Sequence, residues 1–106
     1  MISTPASSVA GYRVVETFGL VFGNTIRARH FGKDILAALK LLVGGEIEEY
    51  TKMMAESREQ AIDRMNEDAR RLGANAVLDV RFTTSYVMSG AAEILAYGNA
   101  VKIEPA

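Results

Sequence analysis

Residues 46–72 read EIEEYTKMMAESREQAIDRMNEDARRL, and this stretch decides the fold because its apolar side chains recur at α-helical spacing. Glutamates occupy its first turn, Arg70 and Arg71 its last turn, and Gly73 follows as a C-terminal cap. The 27 residues at ~1.5 Å each form a rod of roughly 40 Å, longer than one small core needs. The stretch predicts a long helix, part of which contacts another subunit.

The segment before this helix has the alternating pattern of a β-strand. The even positions of residues 12–22 form a nearly continuous apolar face that only Glu16 interrupts. Gly19 predicts a bulge and Gly23-Asn24 predicts a turn, because Gly and Asn tolerate positive φ. We therefore expect a strand over 12–22 and an extended segment over 25–29.

The segment after the helix predicts two further strands, residues 76–88 and 91–103, joined by a tight turn at Ser89-Gly90. The apolar face of the first is expected to carry Ala76, Leu78, Val80, Phe82, Tyr86 and Met88. One face of the second consists of Ala, Gly and Ile94, which lets a helix or a neighbouring chain approach closely.

A second, shorter helix is predicted over 33–43, with Asp34 near its start and a break at Gly44-Gly45. Residues 3–8 are small and polar and suit an irregular lead-in. The element order is then β-β-α-α-β-β, which predicts an α+β fold with an antiparallel sheet and both helices on one side. We expect a single domain over residues 1–106.

Composition excludes several classes of function. The 106 residues are 49% hydrophobic and carry a net charge of −1, so nucleic acid and membrane surfaces are not expected partners. There is no cysteine and one histidine, which removes thiolate chemistry and the ordinary zinc sites. No phosphate-binding glycine loop and no G-x-S-x-G nucleophile motif occurs. The first residues lack the pattern of a secretory signal, so the expected location is the cytoplasm.

Several spaced motifs carry a resemblance to a known family. They are Thr4-Pro5, Gly19-Leu20-Val21-Phe22-Gly23, Asp34, Gly44-Gly45, Tyr50 with Arg58 and Ala61, Leu72-Gly73-Ala74-Asn75-Ala76-Val77, and Ala100-Val101-Lys102. With these motifs the chain resembles the YbjQ-like family of small bacterial and archaeal proteins from about Thr4 to Lys102. The resemblance implies a dodecin-like subunit of a homo-oligomeric ring, commonly a pentamer, in a family whose biochemical role is not established. Such proteins are often labelled "putative heavy-metal-binding". Lys33 stands where relatives tend to have Arg.

His30 and Asp34 are the first candidates for a metal site, because an imidazole and a carboxylate at i, i+4 spacing would share a helix face if the helix began before residue 33. Two ligands are too few within one chain, but a ring would repeat them around its axis. The alternative is an ordinary surface or interface histidine.

Glu16 is the third candidate, as a lone charge on an apolar strand face. Facing inward it would need a partner such as Arg13 or Arg27, or a raised pKa, and could act as an acid or a ligand anchor. The alternatives are an interface salt bridge and a register in which Glu16 reaches solvent. The helix carboxylates predict a solvated face, and Met53, Met54 and Met65 predict packing.

Three functions follow from these observations. The first is a homo-oligomeric assembly or binding module that buries the Ala-rich face of the last strand and the Met-rich face of the long helix between subunits. The second is a metal or small-ligand binding protein with its site at a ring axis or subunit junction; the expected cofactor is none, or a divalent transition metal. The third, least supported, is an enzyme with a carboxylate-based site between subunits.

Overall fold

The computed structural model describes residues 1–28, 47–88 and 91–106. Their elements are β1 (Ile2–Ser3), β2 (Tyr12–Ala28), α1 (Ile47–Arg71), β3 (Ala76–Met88) and β4 (Ala91–Pro105). The four strands lie in the order β1-β3-β4-β2, and α1 packs across β2 and β4. The predicted α+β class is confirmed. The predicted helix over 33–43 and the break at Gly44-Gly45 lie outside the described residues.

Helix α1 matches the predicted helix to within one residue at each end, and Gly73 closes it as predicted. Gly73 has a φ of 93°, a conformation in which a Cβ would be strained. Its N–H donates to the carbonyl of Arg70 at 3.0 Å, and the N–H of Ala74 donates to the carbonyl of Ala69 at 3.1 Å. This pair of bonds satisfies carbonyls that the helix would otherwise leave without a partner.

The sheet is mixed, so the prediction of a purely antiparallel sheet is wrong for one strand. β1 runs parallel to β3, with Ile2 opposite Ala76 and Ser3 opposite Val77. The chain continues along β3, where Thr4 and Ala6 exchange backbone hydrogen bonds with β3 as far as Val80. Of residues 3–8, expected to be an irregular lead-in, only Ser3 lies in β1. Residues 4–8 are irregular as predicted, although their backbone bonds dock them on the edge of β3.

The predicted turn at Gly23-Asn24 is also wrong, because β2 runs through it as one strand of 17 residues. Gly23 serves a different purpose: a Cβ at this position would overlap the backbone of α1 at Ala61 and Met65. Two residues later Thr25 is buried, and its Oγ1 donates to the carbonyl of Ser57 at 3.1 Å. Glycine therefore brings the helix backbone close to the strand at this point.

Two irregularities in β2 change which side chains share a face. The register with β4 shifts between Val14 and Glu16 and again between Thr17 and Gly19, which confirms the predicted bulge at Gly19. Each extra residue reverses the alternation, because side chains alternate with a period of two. Phe18 consequently packs toward α1, and the predicted single face of even positions over 12–22 is wrong for Glu16 and Phe18. Because the second shift restores the alternation, Val14, Leu20 and Phe22 share one face as predicted.

At Asp79 the alternation of β3 side chains between the two faces of the sheet is reversed in the same way. This residue has a φ of 54°, and the register with β4 shifts between Leu78 and Arg81. Leu78 lies on the side away from α1, whereas Val80 lies in the core beneath α1. The prediction that Ala76 and Leu78 share one face with the later apolar residues of β3 is therefore wrong.

The main core lies between α1 and the sheet. Its buried members are Val21, Ala61, Met65, Ala69, Ala74, Val77, Val80, Ile94, Ala96 and Ala100. The Ala and Gly face of β4 is thus covered by the chain's own helix, and Met54 packs against the same core. The predicted approach of a helix to the Ala and Gly face is confirmed, and the expectation that this face lies between subunits is wrong, because α1 covers it. For Met53 and Met54, which are partly buried, contact with another subunit stays a prediction. The 25-residue helix packs along the long strand β2.

Candidate functional site

The side of the sheet opposite α1 carries a row of exposed apolar side chains on β2. Leu20, Phe22 and Ile26 are 56%, 48% and 58% exposed, while Val21 and Thr25 between them are buried under α1. An alternation with large apolar residues on the exposed side is unusual, because a solvated sheet face is normally polar. We call Leu20, Phe22, Ile26 and the β4 residues opposite them the open face.

The β4 side of the open face combines apolar and polar groups. Tyr97 lies opposite Phe22, Leu95 opposite Asn24 and Glu93 opposite Ile26, and all three β4 side chains are half-buried. The amide Nδ2 of Asn24 donates to Oε2 of Glu93 at 3.0 Å. The open face therefore places one carboxylate, oriented by an amide, beside apolar side chains.

The other end of the same side of the sheet is already covered. Ala76, Leu78, Val101 and Ile103 are buried there, and Val9 from the N-terminal segment packs against them. At this end the side chains of β3 and β4 are thus protected by the chain itself, although Tyr12 and Val14 on the same side of β2 are 43% and 45% exposed. Among the described residues, the open face has no comparable buried cluster.

Two side chains of α1 reach the outer edge of β2. A guanidinium nitrogen of Arg64 donates to the carbonyl of Asn24 at 2.5 Å, and a carboxylate oxygen of Asp68 accepts from the N–H of Phe22 at 3.4 Å. Both backbone groups point away from β4, where a further strand would bind them. Charged groups at an edge oppose the addition of such a strand.

Of the three predicted site residues, one lies within the residues that the structure describes. Glu16 is exposed on β2, opposite Lys102 and between the two register shifts. Its expected neighbour Arg13 instead lies 3.6 Å from the carboxylate of Glu104. His30 and Asp34 lie outside the described residues, so their role as metal ligands stays a prediction.

Sequence reasoning missed the residues that the open face brings together. Asn24 and Glu93 are 69 positions apart, and only the register between β2 and β4 makes them neighbours. Arg64 and Asp68 look like members of an ordinary charged helix face. Their i, i+4 spacing was visible in the sequence, but their contact with the edge of β2 depends on the close approach at Gly23.

Within residues 1–28, 47–88 and 91–106, no three His, Asp or Glu side chains come close enough to hold a metal ion. The same part of the chain contains no helix that is both long enough and apolar enough to cross a membrane.

Comparison with known proteins identifies relatives over the whole length. A UPF0145 protein of Thermus thermophilus is 58% identical over 106 residues, which are 100% of this chain and 92% of the relative. A UPF0145 protein of Archaeoglobus fulgidus is 57% identical over 103 residues, 97% of this chain and 95% of the relative. A crystal structure from Pediococcus pentosaceus, a protein of unknown function of the DUF74 family, has the same fold, with a TM-score of 0.68, 16% identity and 98% coverage of each chain.

The family model described as "Putative heavy-metal-binding" matches residues 1–104, which is nearly the whole sequence. Neither this description nor the names of the relatives points to catalysis. Matches of this length and identity settle the resemblance read from the motifs: the chain belongs to the YbjQ-like family.

Proposed function

We propose that this chain is a subunit of a homo-oligomer that buries the open face and carries its binding site at the subunit junction. The observation that supports this proposal is the row of Leu20, Phe22 and Ile26, each about half exposed on one strand. Contiguous exposed apolar side chains on a folded domain mark interaction surfaces. The proposal assigns no reaction to the chain.

The shape of the chain supports the same proposal. The part of the chain that the structure describes has a radius of gyration of 17.4 Å and a longest dimension of 54 Å. A compact domain of 106 residues has a radius of gyration of ~13 Å. An elongated subunit leaves apolar surface that a ring of copies would bury, and the family resemblance implies that the ring is commonly a pentamer.

Sedimentation of the wild-type protein and of a Phe22→Ser variant tests this proposal. We expect the wild type to sediment as an oligomer at micromolar concentration and Phe22→Ser to shift toward smaller species with unchanged circular dichroism. Val15→Ser is the matched control, because Val15 is 43% exposed at a bulge outside the open face. A wild-type monomer of 11.5 kDa would overturn the proposal.

A second function, metal binding at the junction, is favoured by Glu93. Burial of the open face would remove this carboxylate from water. A buried charge needs a cation or several hydrogen-bond donors as partners. Asn24 supplies one donor, and a neighbouring chain or a metal ion would supply the rest. The family description names heavy metals, and His30, Asp34 and Glu16 are the further ligands that we propose to test.

Titration of the metal-free protein with Zn²⁺, Ni²⁺ and Cu²⁺ tests the second function. We expect a site tighter than millimolar that weakens at least tenfold in Glu93→Gln and in His30→Ala. Glu104→Gln is a matched control, since Glu104 is an exposed carboxylate that lies beside Arg13. Absence of a site tighter than millimolar in the wild type, or equal binding by all variants, would contradict metal binding here.

A further inference from the structure

β2 and β3 both flank β4, and the edges that they turn away from β4 differ in how they are protected. β1 pairs with β3 only at Ala76 and Val77, and the backbone bonds of residues 4–6 reach no farther than Val80. A guanidinium nitrogen of Arg81 then donates to the carbonyl of Pro5 at 2.9 Å. Beyond this point, no described strand lies outside β3. We call residues 81–86 the free β3 edge.

The outer edge of β2 is obstructed over most of its length. Two register shifts interrupt it between Val14 and Gly19. Farther along, Arg64 and Asp68 form hydrogen bonds with the backbone groups of Asn24 and Phe22 that point away from β4. Bulges and charged side chains are the devices by which natural sheets prevent further pairing. The register of β3 with β4 also shifts, between Leu78 and Arg81 and between Tyr86 and Met88, so the free β3 edge is the regular segment between these shifts. Within residues 82–86 there is neither a register shift nor a charged side chain.

The side chains of the free β3 edge favour strand pairing. All six residues are exposed, and Arg81 is the single charge among them. Phe82 and Tyr86 are 44% and 82% exposed, and the register with β4 puts both on one side of the sheet. Phe, Thr and Tyr have high β propensity, so residues 82–86, which carry no charge, are a ready template for another strand.

The sequence of this edge is complementary to itself. In an antiparallel pair with Thr84 opposite Thr84 of a second copy, Phe82 faces Tyr86 of that copy and Thr83 faces its Ser85. Aromatic pairs and Thr-Ser or Thr-Thr pairs are favourable cross-strand neighbours, and no like charges meet in this register. A strand that matches itself in this way fits a twofold-symmetric contact, in which one patch binds the same patch.

We propose that the free β3 edge pairs antiparallel with the free β3 edge of a second copy, about a twofold axis at Thr84. The two sheets then form one continuous sheet of eight strands. This inference rests on the proposed homo-oligomer and adds to it a contact separate from the open face. Because a twofold axis relates chains in pairs, the complete assembly contains an even number of chains, two rings in the case of a pentamer.

Cysteine cross-linking tests the register directly, because the chain contains no cysteine of its own. Residues facing each other in an antiparallel pair have Cα atoms ~4.5–5.5 Å apart, within the range of a disulfide. Under mild oxidation we expect Thr84→Cys to form a disulfide dimer, and a mixture of Phe82→Cys and Tyr86→Cys to form a mixed dimer. Thr17→Cys, at an exposed threonine of the obstructed β2 edge, is the matched control. Equal cross-linking of Thr84→Cys and Thr17→Cys would overturn the inference.

A charge exchange separates loss of pairing from misfolding. Thr84→Lys places two lysines opposite each other, and Thr84→Glu two glutamates, so each variant alone should lose the edge contact. An equimolar mixture of the two should restore it, which a misfolded variant could not do. The sedimentation of Phe22→Ser distinguishes the two proposals. An oligomer that responds to Phe22→Ser but not to Thr84→Lys would refute only the edge contact, whereas a monomeric wild type would refute both.

Discussion

At the scale of single residues, Gly23 has the strongest steric reason for its identity. We predict that Gly23→Ala destabilises the protein, because the added Cβ would overlap backbone atoms of Ala61 and Met65, which cannot rotate away. Overpacking of a core costs typically ~1–3 kcal/mol, and we expect the upper part of this range since α1 must shift as a unit.

Urea unfolding at equal protein concentration measures this loss, with Thr17→Ala as the control at an exposed position of the same strand. A midpoint for Gly23→Ala within error of wild type would show that α1 lies farther from β2 than described.

The sequence predicted that both Gly73 and Gly23 require glycine, Gly73 as a helix cap and Gly23 in a turn. Only the helix cap at Gly73 was correct. A glycine after a helical pattern indicates a cap through local geometry alone. A glycine followed by Asn indicates a turn by the same local rule, yet at Gly23 a helix 38 positions later decides the outcome. Sequence reasoning at one residue fails where the partner is distant in the chain.

At the scale of elements, two substitutions at Gly73 test how much the C-terminal cap of α1 contributes to stability. We predict that Gly73→Ala destabilises the protein by ~1 kcal/mol or more, because alanine is strained at a φ of 93°. Gly73→Asn should lose less, since asparagine tolerates this conformation better than alanine does.

Thermal unfolding followed by circular dichroism ranks the three proteins, and the expected order is wild type, Gly73→Asn, Gly73→Ala. An Asn variant less stable than the Ala variant would indicate that the space beside Gly73, where Phe18 lies, matters more than backbone conformation.

The positions of the strands were predicted better than the sheet face on which each side chain lies. The positions of β3 and β4 follow from alternation and turn residues, which are local signals. The face of each side chain depends on every bulge that precedes it, and the irregularity at Asp79 has no glycine to reveal it. The sequence placed Leu20 and Phe22 on one apolar face, but the turn predicted at Gly23-Asn24 hid the continuation of this face to Ile26 and to the facing residues of β4.

At the scale of the whole molecule, the N-terminal segment acts as a cover for one end of the sheet. We predict that deletion of residues 1–10 exposes Ala76, Leu78, Val101 and Ile103 and removes four backbone hydrogen bonds to Asn75 and β3. Each such bond contributes ~0.5–1.5 kcal/mol net, so the loss of stability should reach a few kcal/mol.

Chemical denaturation and binding of a hydrophobic dye measure the two effects. A chain in which residues 1–10 are replaced by a Gly-Ser segment of equal length should behave like the deletion. Wild-type stability and dye binding in either protein would show that the segment does not protect this cluster.

The parallel pairing of β1 with β3 also has a consequence for synthesis on the ribosome. Ile2 is made 74 residues before its partner Ala76. At translation rates of ~5–20 residues per second, this delay lasts roughly 4–15 s. During that time the first residues have no strand to join, and a chaperone or processing enzyme has access to them. The pairing of β1 with β3 can therefore form only after α1 and the start of β3 have been made.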